Sequence, residues 1–250
     1  GPYFRESDLA QQEKLKEIDF QDEIRDPEAH DAKTNQALYY AMIAQIDDQF
    51  ARLLKGLDDS GQRENTLVIF TSDHGETLGD HGLVYKGCRF YEGLVRVPLI
   101  FRWPGRIQEG LRSDALVELL DMSATILDAG GVEIPEYFQG QSLLPVMTGE
   151  QAPGHVRDSV RCEYFDSLDS HFTGGYGAFA TMYRRGQYKL SIYHGKNLGE
   201  LYDLAADPWE FENLWDHPDH QALKHELISE SFDDHVLKTT DVGSRRIAPM

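Results

Sequence analysis

The sequence has 250 residues, and its 43 acidic against 24 basic residues give a formal net charge of −19 at pH 7. Hydrophobic residues make up 40% and charged residues 27%, which is typical of a globular protein rather than a disordered or fibrous one. The acidic excess argues against binding to nucleic acid or to an anionic bilayer, because both need a basic surface. No apolar run reaches the roughly 20 residues of a membrane-spanning helix. We therefore expect no nucleic-acid partner and no membrane partner.

The first predicted element is a long amphipathic helix. Residues 1–34 are polar and acidic, which indicates surface loop and short helix. From Thr34 onward apolar residues recur at spacings of three and four, with Thr34 or Asn35 as the cap and Ser60-Gly61 at the end. We expect the apolar stripe to pack on a sheet. It consists of Leu38, Met42, Ile43, Ile46, Phe50, Leu53, Leu54 and Leu57.

Two strands and a second helix are predicted next. Residues 66–71 form a short apolar, β-branched run without polar alternation, which predicts a strand buried on both faces and, after the helix, a βαβ layout. A second run of this kind covers residues 97–102. Residues 121–129 have a helical pattern that is closed by Gly130 and Gly131.

After about residue 150, short strand patterns replace the long helix. The turn at residues 184–187 predicts a hairpin, and a final helix covers residues 221 to about 236. Together these elements predict a small antiparallel sheet with a helix. The strand candidates are residues 161–165, 178–183 and 188–193.

This change of pattern also predicts the domain organisation. The boundary is expected between Gly149 and Gly154. Residues 1–152 would then form an α/β portion, and residues 153–250 a C-terminal α+β subdomain that contains the small antiparallel sheet.

The densest polar cluster follows the first predicted strand, in residues 72–76. In open α/β sheets, functional groups collect where a strand reaches its carboxyl end. The Asp73 carboxylate and the His74 imidazole offer an oxygen and a nitrogen ligand to a divalent cation, and loop residues that pair with each other are the alternative. A catalytic triad of Ser72, Asp73 and His74 is not expected, because neighbouring side chains leave an extended backbone in opposing directions.

Lys86 lies further along, between Gly82 and Gly87. Its ammonium group could reach back to a bound oxyanion as a point charge, whereas a solvated surface lysine is the alternative. Cys88 is not expected to be a nucleophile, because no neighbouring feature lowers the pKa of its thiol. A small buried residue is expected there.

The order of these segments resembles the downstream half of a sulfatase, a family of the alkaline-phosphatase-like superfamily. The resemblance extends from about residue 35 to residue 215 and depends on many motifs in the same order. The motifs are residues 46–47 (ID), 65–76 (NTLVIFTSDHGE), 79–82 (GDHG), 86–87 (KG), 91–93 (YEG), 96–100 (RVPLI), 103–105 (WPG), 121–128 (DMSATILD), 140–145 (GQSLLP), 186–190 (GQYKL), 200–204 (ELYDL) and 207–214 (DPWEFENL).

The resemblance implies a fold class and residue roles. The fold class is α/β, an alkaline-phosphatase-like α/β/α sandwich portion followed by a small antiparallel sheet plus helix subdomain. Asp73 and His74 correspond to the two downstream ligands of a single divalent cation, usually Ca²⁺ in sulfatases. Lys86 corresponds to the catalytic lysine that contacts the sulfuryl oxygens. His81 and Glu92 match family motifs, and we assign His81 to substrate binding and Glu92 to the support of these groups.

The sequence departs from the family pattern at the nucleophile. Sulfatases use as their nucleophile a Cys or Ser that lies in a Cys/Ser-x-Pro/Ala-x-Arg motif and is oxidised to formylglycine, but neither Cys88 nor Cys162 lies in such a motif. By resemblance, the nucleophile, an upstream aspartate pair and a substrate histidine belong to a preceding segment. The chain also begins at Gly1 without an initiator methionine or a signal peptide. We expect the downstream part of a sulfatase, inactive alone and partnered by the missing N-terminal segment of the same enzyme.

Several properties stay open from sequence. The expected substrate is a small-molecule or carbohydrate sulfate ester. The first alternative is a phosphonate or phosphate ester hydrolase of the same superfamily, with Mn²⁺ or Zn²⁺ as the cation, and the second is a noncatalytic binding or assembly module. Tyr164, His171 and residues 174–177 are candidates for the pocket rim, with a solvent loop as the alternative. The tail at residues 239–250 could contact a second copy in a homo-oligomer, and periplasmic, secreted and cytoplasmic locations are all open.

Overall fold

The computed structural model describes residues 10–11, 13–14, 31–83, 86–165 and 178–240. The longest helix in these ranges, α1 (Ala32–Asp59), begins where the Asp31 carboxylate accepts a hydrogen bond from the Thr34 amide at 3.0 Å. The predicted helix is confirmed. Its cap is Asp31 rather than Thr34 or Asn35, because an N-cap side chain must reach an amide two or three residues later. Most of the predicted polar start lies outside the described residues.

The apolar stripe of α1 is covered along one edge. Phe50 is partly buried, and its ring centroid lies 5.3 Å from that of Phe70 in the first strand. Packing on a sheet is confirmed for this edge and is wrong, within the described ranges, for the opposite one. The opposite edge consists of four side chains that are each more than half exposed, Leu38, Met42, Ile46 and Leu53.

Neither α1 nor another helix in the described ranges has the length and apolar character that crossing a bilayer requires.

The two predicted strands of the first portion are present as β1 (Val68–Thr71) and β2 (Leu99–Arg102). They pair antiparallel, with Thr71 opposite Leu99, and every residue of β1 is only partly buried. The prediction of burial on both faces is therefore wrong for β1. The βαβ layout concerns the helix before β1 and a strand before that helix, so the pairing of β1 with β2 does not test it and it stays a prediction. In the described part of the chain between the strands, the helices are short turns, among them α2 (Glu92–Val95). The long helix that usually connects two parallel strands is not present in that part.

Two further helices, α3 (Leu120–Ala129) and α4 (Leu144–Thr148), follow β2. The α3 helix confirms the predicted one and ends at Gly130. At its start the completely buried Asp121 carboxylate binds Arg157, with Oδ1 and Nη2 2.6 Å apart. This ion pair joins α3 to the segment that precedes the C-terminal sheet. It therefore spans the two sides of the predicted domain boundary, which itself stays a prediction.

A four-stranded antiparallel sheet forms the C-terminal part, in the order β3-β4-β5-β6. The last helix, α5 (Gln221–Thr240), packs on one face, where Leu227 lies in one buried cluster with Leu190 and Leu201. The predicted small antiparallel sheet with a helix is confirmed. Its strands are β3 (Ser159–Phe165), β4 (Phe179–Arg185), β5 (Tyr188–Tyr193) and β6 (Leu198–Asp203).

The opposite face of this sheet packs on the chain that leads into α2. Cys88 and Phe90 are buried in one cluster with Ala180, Met182 and Tyr193. Cys88 is thus the small buried residue that the sequence predicts. The C-terminal sheet consequently contacts the segment that contains several of the candidate site residues.

Candidate metal and anion site

The turn after β1 is held against α2 by a close backbone contact. The Gly75 amide donates a hydrogen bond to the Leu94 carbonyl at 2.8 Å. A Cβ atom on residue 75 would lie 1.9 Å from the Gly93 carbonyl oxygen. Only glycine allows this approach, which fixes Asp73 and His74 relative to α2.

We expect Gly75→Ala to lower the free energy of unfolding by roughly 1–3 kcal/mol, because the backbone must move to admit the methyl group. In α1, a Cβ atom on Gly56 would meet nothing within 4 Å. Gly56→Ala should therefore raise the free energy of unfolding by about 0.5–1 kcal/mol. Urea-induced unfolding followed by circular dichroism measures both variants. Equal effects of the two substitutions would contradict a tight contact at Gly75.

The side chains of Asp73 and His74 converge at the end of β1. Asp73 Oδ2 lies 3.5 Å from His74 Nε2. His74 Nδ1 lies 2.8 Å from the Gly75 carbonyl oxygen. Because a carbonyl only accepts hydrogen bonds, Nδ1 carries the proton in this contact and Nε2 keeps its lone pair. Metal-binding histidines use the same arrangement, and two ligands about 2.0–2.4 Å from one cation lie about 3 Å apart when their bonds are roughly perpendicular.

The charge state of Asp73 also suits a metal ligand. The His74 backbone amide, which donates to Asp73 Oδ1 at 2.9 Å, lowers the pKa of this carboxyl. In its protonated form, in which Nε2 has no free lone pair for a metal, the His74 ring would lower this pKa further. The Asp73 side chain is 85% exposed, whereas His74 is partly covered with 41% of its side chain exposed. Within the described ranges no group of three or more His, Cys, Asp and Glu residues is placed to hold a metal. Whether Asp73 and His74 bind a metal ion stays a prediction.

Lys86 and His81 occupy different environments. Lys86 is exposed, and no described contact of its ammonium group joins it to Asp73 or His74. His81 is 4% exposed and has a left-handed backbone with φ of 53°. Its ring stacks on Tyr91 at 3.9 Å between centroids, with 12° between the planes. The roles of Lys86 and His81 in anion and substrate binding stay predictions.

A cavity of about 300 Å³ lies beside His81, between the first portion and the C-terminal sheet. Arg96, Arg184 and Trp209 contribute to its wall. A contact between His81 and a substrate would have to be made from this side, since the face of its ring is covered by Tyr91. Of the predicted rim residues, Tyr164 packs against the Cys88 cluster, while His171 and residues 174–177 lie outside the described residues.

Glu92 lies in a buried cluster of charges. Lys189 Nζ is 3.0 Å from Glu92 Oε1 and also forms an ion pair with Glu210. The Glu92 amide donates to Glu210 Oε2 at 2.6 Å, and Arg184 lies 3.5 Å from the second Glu92 oxygen. Burial raises the pKa of Glu210, and the positive charge of Lys189 opposes this rise. Glu92 thus fixes the start of α2, and whether this supports the metal and anion site stays a prediction.

Glu200 is a second buried charge, and three tyrosine hydroxyls donate to it. Tyr91 and Tyr202 donate to Oε1 at 3.0 and 2.8 Å, and Tyr193 donates to Oε2 at 2.7 Å. Burial raises the pKa of Tyr193 and Tyr202 well above the usual value, and the Glu200 charge adds to the rise. The hydroxyls therefore keep their protons and satisfy the carboxylate.

Sequence reasoning missed Lys189, Glu200 and Glu210. In β5 and β6, the polar residues Lys189, Ser191 and Glu200 alternate with apolar ones, and this pattern is typical of side chains that face water. A usable signal was the excess of tyrosine around them, because buried phenols need acceptors. Tyr193 and Tyr202 both lie within a few residues of Glu200.

Two family models match the sequence. The model described as "Sulfatase" matches residues 8–132, and the model described as "N-sulphoglucosamine sulphohydrolase, C-terminal" matches residues 79–235. The chain is 34% identical over 193 residues to an N-acetylglucosamine-6-O-sulfatase of Bacteroides thetaiotaomicron. This alignment covers 76% of the chain and 34% of the relative, so the chain spans about a third of the length of that protein.

Solved structures show a corresponding likeness. A structure in complex with its substrate D-glucosamine-2-N,6-O-disulfate has a TM-score of 0.69 and 31% identity, over 82% of this chain and 40% of the other. The phosphonate monoester hydrolase of Silicibacter pomeroyi has a TM-score of 0.79 and 28% identity, over 95% of this chain and 49% of the other. The family matches include both the turn at residues 72–75 and the C-terminal sheet.

Proposed function

Because the chain belongs to the sulfatase family, we propose that it forms the downstream part of the active site of a sulfuric ester hydrolase. One observation carries this proposal, the approach of Asp73 Oδ2 to within 3.5 Å of His74 Nε2 at the end of β1. An oxygen and a nitrogen lone pair at this spacing suit one divalent cation. Lys86, exposed further along the chain, would supply a positive charge to the anionic ester.

Enzymes of this superfamily generally use a divalent metal ion. We propose that Asp73 and His74 hold it here, because one is an ionised exposed carboxylate and the other has its second ring nitrogen bonded to a carbonyl. When bound, the ion offsets negative charge on the nonbridging oxygens of the ester. Ca²⁺ is the usual ion in sulfatases, whereas Mn²⁺ and Zn²⁺ accept an imidazole ligand more readily.

The nucleophile is proposed to lie outside this chain. Cys88 is completely buried, and burial raises the pKa of Cys162. A reactive cysteine needs an exposed site with a lowered pKa, so neither thiol is suited to attack sulfur. A formylglycine on a preceding segment of the same enzyme is the source that fits the family, and the chain alone would then be inactive.

We propose a carbohydrate sulfate ester as the substrate class. Support comes from a relative named N-acetylglucosamine-6-O-sulfatase and from a structural relative that holds D-glucosamine-2-N,6-O-disulfate as its substrate. A divalent cation together with Lys86 would supply enough positive charge to offset the negative charge of a sulfate monoester. The hydroxyls of the sugar would be recognised by groups other than the cation and Lys86.

Hydrolysis of phosphonate or phosphate esters is the second candidate. It is favoured by the TM-score of 0.79 with the phosphonate monoester hydrolase of Silicibacter pomeroyi, over 95% of this chain. The imidazole of His74 also favours a transition metal over calcium. The two candidates differ in the preferred ester and in the bound ion, so both can be measured in one preparation.

The test uses the enzyme that contains this chain together with its preceding segment. We expect it to hydrolyse glucosamine 6-sulfate or an aryl sulfate with a higher kcat/KM than the corresponding phosphate and phosphonate monoesters. Elemental analysis of the purified enzyme identifies the metal. A preference for the phosphonate ester would establish the second candidate. Equal turnover before and after removal of the metal by a chelator would contradict both.

A further inference from the structure

The sheet face opposite α5 carries two buried charged residues whose contacts point toward the candidate site. Lys189 in β5 and Glu200 in β6 are each 1% exposed. They lie on one face, because Lys189 pairs with Tyr202 and Ser191 pairs with Glu200 across the ladder. Burying a charge is unfavourable unless its hydrogen bonds are satisfied. The partners of these two groups therefore indicate what they hold in place.

Both side chains have partners in the lysine loop, the name used below for residues 86–92. Lys189 Nζ donates to the Phe90 carbonyl at 2.7 Å and to Glu92 Oε1 at 3.0 Å. The Tyr91 hydroxyl donates to Glu200 Oε1 at 3.0 Å. Three consecutive residues at the end of the lysine loop are thus held by buried charges on the sheet.

The lysine loop contacts His81 on one side and the Asp73–His74 turn, through α2, on the other. The Tyr91 ring stacks on His81 at 3.9 Å. Glu92 begins α2, and the backbone of α2 contacts Gly75 next to the Asp73–His74 pair. Lys86 lies at the start of the same loop. A displacement of residues 90–92 would therefore be transmitted to the Asp73–His74 turn and to Lys86.

We propose that Lys189 and Glu200 are positioning residues that hold the lysine loop, and through it Lys86 and the Asp73–His74 turn, in the geometry that ester hydrolysis requires. This inference is based on the proposed function. Neither residue touches the substrate. Both act through Phe90, Tyr91 and Glu92, with which they form charge-assisted hydrogen bonds from a rigid sheet.

Two matched phenol substitutions test the Glu200 contact. Tyr91→Phe removes the hydroxyl that joins the lysine loop to Glu200, whereas Tyr193→Phe removes a hydroxyl that joins Glu200 to β5. Hydrogen exchange of the full chain, followed by mass spectrometry, reports on residues 86–96. We expect Tyr91→Phe to raise exchange there at least about tenfold and Tyr193→Phe to leave it within about twofold. No change for Tyr91→Phe, or an equal change for both, would overturn the proposal.

The Lys189 contact needs a variant that leaves no unpaired buried charge. Lys189→Met combined with Glu210→Gln removes the ammonium group together with one of its acidic partners. Exchange of residues 86–96 should again rise at least about tenfold, while exchange within β4 stays within about twofold. A uniform rise across the sheet would show general destabilisation and would overturn the positioning role of Lys189.

Kinetics of the enzyme that contains the chain supply the functional measurement. Tyr91→Phe should lower kcat per folded active site about tenfold or more with KM changed less than about threefold, because misplaced charges stabilise the transition state poorly. A purely structural role would lower the amount of folded enzyme and leave kcat per site unchanged, which would overturn the proposal. The exchange measurement requires no activity, so it separates failure of this inference from failure of the proposed function.

Discussion

Asp73→Asn should lower kcat/KM for a sulfate ester by about a thousandfold or more in the enzyme that contains this chain. The neutral amide replaces a carboxylate that is ionised and close to His74 Nε2, so the cation loses both charge and a ligand. The charge on the nonbridging oxygens is then poorly offset in the transition state. Steady-state kinetics and elemental analysis of the same preparation measure the rate and the metal content together.

Two comparisons make this result specific. Asp58→Asn changes an exposed carboxylate near the end of α1, 3.3 Å from Arg63, and should leave kcat/KM within about twofold because surface pairs contribute little. His74→Ala should lose the metal as Asp73→Asn does. Since both side chains are proposed to bind one ion, the kcat/KM of the double variant should be less than about tenfold below that of either single variant. Full metal content and an unchanged rate in Asp73→Asn would exclude the site.

Lys86→Ala is expected to lower kcat/KM by about a hundredfold or more, because removal of one charge contact to a developing oxyanion typically has an effect of this size. The loss should appear with the metal still bound, since Lys86 is not one of the proposed ligands. Lys86→Arg should recover part of the rate, because the charge is kept while its shape and reach change. Steady-state kinetics with a sulfate ester and metal analysis separate this variant from the Asp73 and His74 variants.

The matched control for Lys86 is Lys55→Ala in α1. Lys55 is also exposed, and its ammonium group lies 2.6 Å from Asp59 in the same helix. We expect its loss to change kcat/KM by less than about twofold. A near-normal rate for Lys86→Ala, or an equal loss for both lysines, would show that Lys86 does not contact the reacting ester.

The local features of the site could be predicted from sequence because they depend on residues close together in the chain. The strand β1 and the turn that follows are encoded within residues 66–76, and the Asp73–His74 pair lies where that strand ends. The predicted fold class, an alkaline-phosphatase-like α/β sandwich portion followed by an antiparallel sheet with a helix, is confirmed by the related structures and by the described sheet and helix.

Features that depend on distant parts of the chain could not be predicted in this way. Glu92 and Lys189 are separated by 97 positions, and Tyr91 and Glu200 by 109. A charged side chain such as Glu92, Lys189 or Glu200 is, taken alone, typical of a solvent-facing position, and only the packed sheet shows that these three are largely buried. The antiparallel direction of β1 and β2 was missed for a related reason, since an apolar run indicates burial but contains no information about its neighbour's direction.

The exposed apolar edge of α1 affects the tendency of this chain to aggregate when it is produced by itself. An exposed apolar strip along the helix favours association between copies of the chain, and it consists of Leu38, Met42, Ile46 and Leu53. The net charge of −19 opposes this association by electrostatic repulsion. Added salt shortens the reach of that repulsion from about 10 Å at 0.1 M to about 3 Å at 1 M, but it does not weaken apolar attraction. Preparations of the isolated chain are therefore best kept dilute and at low ionic strength, because electrostatic repulsion between copies then prevents aggregation.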